Sequence, residues 1–99
     1  MYARHVTIHG SPEHVDDAVR SVREGVLPVL QGCDGFKGQL LLVDRAKGEA
    51  IGISLWDTEA NMNASESKVA AARQQTADQV GAGDAPEVVL YEMPIFEIS

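Results

Sequence analysis

The stretch from Gly35 to Glu59, GFKGQLLLVDRAKGEAIGISLWDTE, holds two β-prone runs around one polar reversal, and it constrains the fold more than any other part of the chain. Phe36 to Asp44 is the first run. Arg45-Ala46-Lys47-Gly48-Glu49 supplies a Gly-containing turn and Ala50 to Asp57 the second run, so the pair reads as an antiparallel hairpin. Side-chain alternation places Leu40 and Leu42 on one side with Leu41 and Val43 on the other. In the second run Ile51, Ile53 and Leu55 face one way, and Ala50, Gly52, Ser54 and Trp56 the other. Both faces of the hairpin therefore call for burial.

The flanking segments supply the remaining layers. Tyr2 to His9 has a period of two and reads as a first strand, broken by Gly10-Ser11-Pro12. Ser11 as N-cap, Pro12 at the first helical position and Glu13 behind it predict a helix start. Val15, Ala18, Val19, Val22, Val26 and Leu30 recur at helical spacing, opposite Asp16, Asp17, Arg20, Arg23 and Glu24. Pro28 is expected to kink or tighten the last turns, and Gly32 to end them. Thr58 predicts the cap of a second helix, Glu59 to about Gln79, whose inner stripe of Met62, Ser65, Val69, Ala72, Thr76 and Val80 is small and weakly apolar. The segment Gly81 to Pro86 reads as a linker and Glu87 to Met93 as a last strand. Ile95 to Ile98 is expected either to add a short strand or to exchange onto a neighbour.

The order β-α-β-β-α-β predicts an α+β, ferredoxin-like domain over residues 1–99, a four-stranded antiparallel sheet with two helices on one face. Helices cover only that face. The other is expected to be covered by the same sheet of a second copy, giving a homodimer joined sheet to sheet.

A formal charge of −7, with Lys and Arg scattered singly among acids, leaves no surface that would track phosphates, which argues against nucleic acid and anionic membranes as partners. Cys33, the only cysteine, permits no intramolecular disulfide and lies near acids, so it reads as a packing thiol. No apolar run has the length of a signal h-region or a spanning helix, and the expected compartment is the cytoplasm. His5 and His9 share a strand face at a spacing too wide for one metal, and His14 lies at the helix start, so no metal is expected.

A proline late in the first helix, Gly35-Phe36-x-Gly38, an aliphatic strand ending Asp44-Arg45, a turn at Gly48, a small-residue strand and Leu55-Trp56-Asp57-Thr58-Glu59 resemble the antibiotic biosynthesis monooxygenase-like family of the dimeric α/β-barrel superfamily. The resemblance implies that two sheets close into a dimeric α/β barrel across the homodimer, with a pocket in each subunit between sheet and helices. It also implies a range of activities: oxygenases that form quinones without metal or flavin, heme-degrading oxygenases, and proteins with no assigned activity. The heme-degrading members use a strand asparagine and a second-helix histidine; here the first strand offers Arg4, and Glu59 to Gln79 holds no histidine, so no heme and no other cofactor is expected.

Within that frame Trp56 reads either as a wall of an aromatic-accepting cavity over the space left by Gly52 and Ser54, if the small side of its strand faces the helices, or as an anchor at the strand-to-helix corner. Arg4 shares that face if the first strand is in the expected phase, and there offers a guanidinium to a phenolate, carboxylate or enolate oxygen, or else is a salt-bridged or rim arginine. Asn61, through its amide, completes the candidate catalytic set of Trp56, Arg4 and Asn61. Gly52, Ser54, Met62, Ser65 and Glu66 are candidate ligand contacts. Two functions follow: a cofactor-independent monooxygenase acting on a polycyclic phenol or hydroquinone, or a non-catalytic homodimer that binds a small aromatic ligand or is purely structural.

Overall fold

The computed structural model describes residues Met1–Ser99. Strands β1 (Tyr2–His9), β2 (Phe36–Asp44), β3 (Glu49–Trp56) and β4 (Glu87–Glu92) form one sheet in the order β2-β3-β1-β4, with every neighbouring pair antiparallel. This is the ferredoxin-like arrangement expected from the order of elements. Gly48 closes the β2–β3 turn with φ 73°, a conformation that glycine adopts without penalty.

The first helical layer begins differently from the simple cap read in the sequence. Ser11 is extended but its hydroxyl caps nothing, and the chain enters through a 3-10 turn at Pro12–His14 before α1 (Val15–Ser21). Proline at the first position removes one of the amides that such a cap would serve. A π turn, Val22–Val26, joins α1 to α2 (Leu27–Gln31) with helical backbone angles at both junctions. Pro28 carries no amide and its ring crowds the carbonyl four residues earlier, so the ladder shifts to π spacing just upstream of it. In α3 (Glu59–Gln79), Thr58 caps as expected, accepting from the Asn61 amide at 3.1 Å. Ile95 to Ile98 form no strand in this chain; they follow Pro94, which cannot donate to a ladder, and their side chains are exposed.

Cross-strand register explains the interior. On the helix-facing side, four rows run across β1, β3 and β2: Ile8–Ala50–Val43, Val6–Gly52–Leu41, Arg4–Ser54–Gln39 and Tyr2–Trp56–Phe36. In the first three the central residue is small and its flanks are large. The sheet therefore has a trough along β3 that ends where the bulky Trp56 row begins. Val26, Leu30, Cys33, Met62 and Val69 pack around Trp56, and a second cluster of Ile8, Ala18, Ala50, Ala77 and Val80 fills the other end. The opposite sheet face presents Leu40, Leu42, Val89 and Tyr91 in the open. No helix is long and apolar enough to cross a membrane.

Candidate functional site

Arg4 is the centre of the site. It leaves β1 on the trough side and is only 2% exposed, although a guanidinium is costly to desolvate. Its Nη2 donates to the Met62 carbonyl and to Ser65 Oγ, each at 2.6 Å, and Ser65 Oγ itself donates to the same carbonyl at 2.6 Å. Nε lies 3.4 Å from Glu66 Oε1, an ionic contact without hydrogen-bond geometry. The Trp56 ring centre is 5.5 Å from Cζ, within cation–π range. Nη1 is buried and has no acceptor.

Glu66 belongs more to Arg73 than to Arg4. Arg73 Nη1 donates to Oε1 at 3.1 Å and Nη2 to Oε2 at 2.5 Å, a bidentate fork across two turns of α3. Two guanidinium groups and one carboxylate leave one positive charge in excess, next to a donor that bonds to nothing. Burial pulls the Arg4 guanidinium below its ordinary value; Glu66 opposes this, and Arg73 adds to it. An unsatisfied buried donor of this kind costs about 1–3 kcal/mol or more, so it marks a place where an acceptor is wanted.

The trough supplies the space. Between sheet and helices lies a cavity of about 50 Å3, whose lining includes Arg4, Gln39, Gly52, Ser54 and Arg73 together with a larger set of Val, Ile, Leu and Ala side chains. Gly52 is its floor: a Cβ built there would meet only Gln39 Nε2, at 3.9 Å. The lining includes no aromatic ring and no carboxylate, imidazole or thiol. Sites for drug-sized ligands run to roughly 300–1,000 Å3 and a dry cavity of about 150 Å3 takes one benzene ring, so a single ring enters this space only with some widening, and three fused rings only if the helices move.

The structure brings Arg4, Gly52 and Ser54 to the cavity, and places the other candidates around or away from it. Trp56 has no exposed surface; it packs behind the lining, donating through Nε1 to Ser54 Oγ at 2.8 Å, so it braces the wall and does not form it. Met62 and Ser65 hold Arg4 through a carbonyl and a hydroxyl, and Glu66 is its counter-ion. Asn61 lies apart. Its amide donates to Asp57 Oδ1 at 2.9 Å beside Gly35, and that bond holds the Asp57 carboxyl below the usual carboxylate range. Arg73 and Gln39 were not among the sequence candidates, yet their positions carried the signal. Arg73 follows Val69 by four residues on the inner stripe, and Gln39 alternates with Leu41 and Val43.

No family model matches the chain. The uncharacterized protein Rv2557 of Mycobacterium tuberculosis is 41% identical over 87 residues, which is 88% of this chain and 39% of that protein. Rv2558 of the same organism is 44% identical over 77 residues, 78% of this chain and 33% of that protein. The chain thus spans about two fifths or less of the length of the curated relatives it matches. Among solved structures, the monooxygenase from the gene ActVA-Orf6 of Streptomyces coelicolor, in complex with nanaomycin D, superposes with a TM-score of 0.80 at 15% identity, over 99% of this chain and 91% of that one. An antibiotic biosynthesis monooxygenase gives 0.68 at 18% identity, over 94% and 98%. A protein of unknown function from Nitrosomonas europaea, NE2512, gives 0.78 at 16% identity, over 99% and 93%. Identities this low establish a common fold. The chain has the fold of the antibiotic biosynthesis monooxygenases.

Proposed function

We propose that the chain binds a small, weakly acidic phenol or hydroquinone in the cavity under α3 and oxygenates it with dioxygen, using no metal, heme or flavin. The observation that carries this reading is the buried Arg4 guanidinium, whose Nε and Nη1 have no acceptor, on a residue that lines an aliphatic cavity. Such a donor lowers the energy of an oxyanion far more than it would in water. In the reaction a ring C–H carbon in conjugation with that oxyanion becomes C=O, losing its own hydrogen while the hydroxyl loses the second. One atom of dioxygen stays on carbon, the other leaves as water with both hydrogens, and the substrate supplies all the electrons. Met62 and Ser65 fix the guanidinium, Trp56 braces its face, and Asn61 holds the Asp57 corner from outside the cavity. A polycyclic substrate requires the cavity to widen well beyond its present volume.

A second reading, binding without turnover, is favoured by the lack of any carboxylate, imidazole or thiol in the lining that could serve as a base. Oxygen uptake with a panel that runs from single-ring phenols and hydroquinones through naphthohydroquinones to anthrones separates the two. Arg4→Met is expected to cut uptake by about 10²–10³-fold, the usual effect of losing one oxyanion donor. Its stability is expected to stay within about 1–2 kcal/mol of the parent, because Ser65 still serves the Met62 carbonyl and Arg73 still pairs Glu66. Gly52→Leu, which fills the floor without a backbone clash, should exclude the ligand as well. Uptake or binding unchanged in both variants would remove the cavity from the function.

The same reading includes a homodimer through the open sheet face, since Leu40, Leu42, Val89 and Tyr91 form an apolar surface with no helix over it. A second copy is the occupant that matches its aliphatic, uncharged centre, apolar against apolar across a twofold axis. Sedimentation at micromolar concentration is expected to give twice 10.6 kDa, and Leu42→Glu to give the monomer mass. A parent chain that sediments as a monomer contradicts this assembly.

A further inference from the structure

Glu66 stands between two buried guanidinium groups and serves only one of them in full. Arg73, 7% exposed, takes both carboxylate oxygens, while Arg4 touches Oε1 only through Nε. The Glu66 side chain is itself 47% exposed, so packing alone does not fix it; the Arg73 fork does. Were Glu66 released, Nε and Nη1 of Arg4 would be unsatisfied cationic donors beside it, and closing on them would neutralise Arg4. The other charged or titratable groups facing Arg4 are Arg73 itself and the Cys33 thiol, neither of which could take that place.

We propose that Arg73 is a positioning residue: by holding both oxygens of Glu66 it keeps Nη1 of Arg4 unpaired, so that a shift of the Arg4 side chain offers it to a single oxyanion of the ligand. This rests on the cavity being the ligand site, and it names the ligand class as a monoanion, bound deprotonated opposite the one uncompensated charge. The site then needs no base of its own. The proton goes to solvent, and the excess positive charge favours the anion.

Titration with 4-nitrophenol, a single ring whose phenolate absorbs apart from its phenol, tests this in a buffer set at the pKa of the free compound. The parent chain is expected to bind it as phenolate. Arg73→Met, which retains Arg4, is expected to bind it about tenfold more weakly or worse, as for the loss of a charge-assisted hydrogen bond. Adding Glu66→Gln to Arg73→Met removes the competing carboxylate and is expected to restore the affinity, a rescue that a merely structural role for Arg73 would not produce. Should Arg73→Met fail to fold by circular dichroism, Arg73→Lys keeps the charge and loses the fork, and its weakening, reversed by Glu66→Gln, carries the same test. Parent-like affinity in the Arg73 variant that folds, or no rescue, overturns the role of Arg73 and leaves the cavity as the site. Binding of neutral nitrophenol overturns the monoanion assignment alone. No binding by the parent chain, as phenol or phenolate, overturns this inference together with the reading beneath it.

Discussion

Truncating Trp56 to alanine is expected to lower the free energy of unfolding by about 3–5 kcal/mol, the range for removing a large aromatic side chain from a packed interior. The side chain is fully buried and joins Val26, Leu30, Cys33, Met62 and Val69 in one cluster. It meets Phe36 edge-on at 5.6 Å and 65°, lies against the Arg4 guanidinium and donates to Ser54. No single replacement repairs all four relations. Domains of this size are stable by only about 5–15 kcal/mol, so the loss is a large share of the whole. Urea unfolding followed by circular dichroism measures it, with Trp56→Phe as the companion that keeps most of the packing and loses the bond to Ser54. A cost for Trp56→Ala of less than about 1 kcal/mol would contradict the packing described above.

Gly48→Ala is expected to cost about 2–5 kcal/mol. One part is the backbone: φ is 73°, and a non-glycine residue there costs about 1–3 kcal/mol. The rest is steric, because an added Cβ falls 2.5 Å from the Ser11 carbonyl carbon, 2.6 Å from Pro12 N and 2.7 Å from the Gly10 oxygen. These are main-chain atoms at the entry to the first helical layer. They are also tied to the turn by the bond from Gly10 N to the Gly48 carbonyl at 3.0 Å, so neither side can yield without losing it. Gly83→Ala, with nothing within 4 Å of the new methyl, serves as the control and is expected to change stability by less than about 0.5 kcal/mol. Equal midpoints for the two variants would show that the turn and the helix entry are not coupled.

The hairpin was legible because two strands of alternating residues around a glycine turn leave few other packings, but alternation alone left open which side of β3 faces the helices. The emptiness of the cavity was only half legible. Gly52 and Ser54 announce missing volume, but a hole forms only when register sets Val6 and Leu41 on either side of Gly52, and register is a property of pairs of strands. Arg73 was hidden by its charge. A stripe traced through apolar residues passes over an arginine, although the helical period puts it inside, where Glu66 compensates it. The π turn had its cause in view at Pro28, but proline specifies only that the ladder must change, and the surrounding packing selects how. The bare segment Ile95 to Ile98 has exposed apolar side chains with nothing in the chain to meet them, which local pattern alone reads as strand.

The position of the chain's only tryptophan has a practical consequence for spectroscopy. Its indole is shielded from solvent, its N–H is committed to Ser54, which lines the cavity, and its face carries the guanidinium whose free end is turned to no protein acceptor. Tryptophan emission from this protein thus comes from a single indole in contact with the two polar groups that an occupant would disturb, and the native chain is its own optical reporter of whether the cavity is filled.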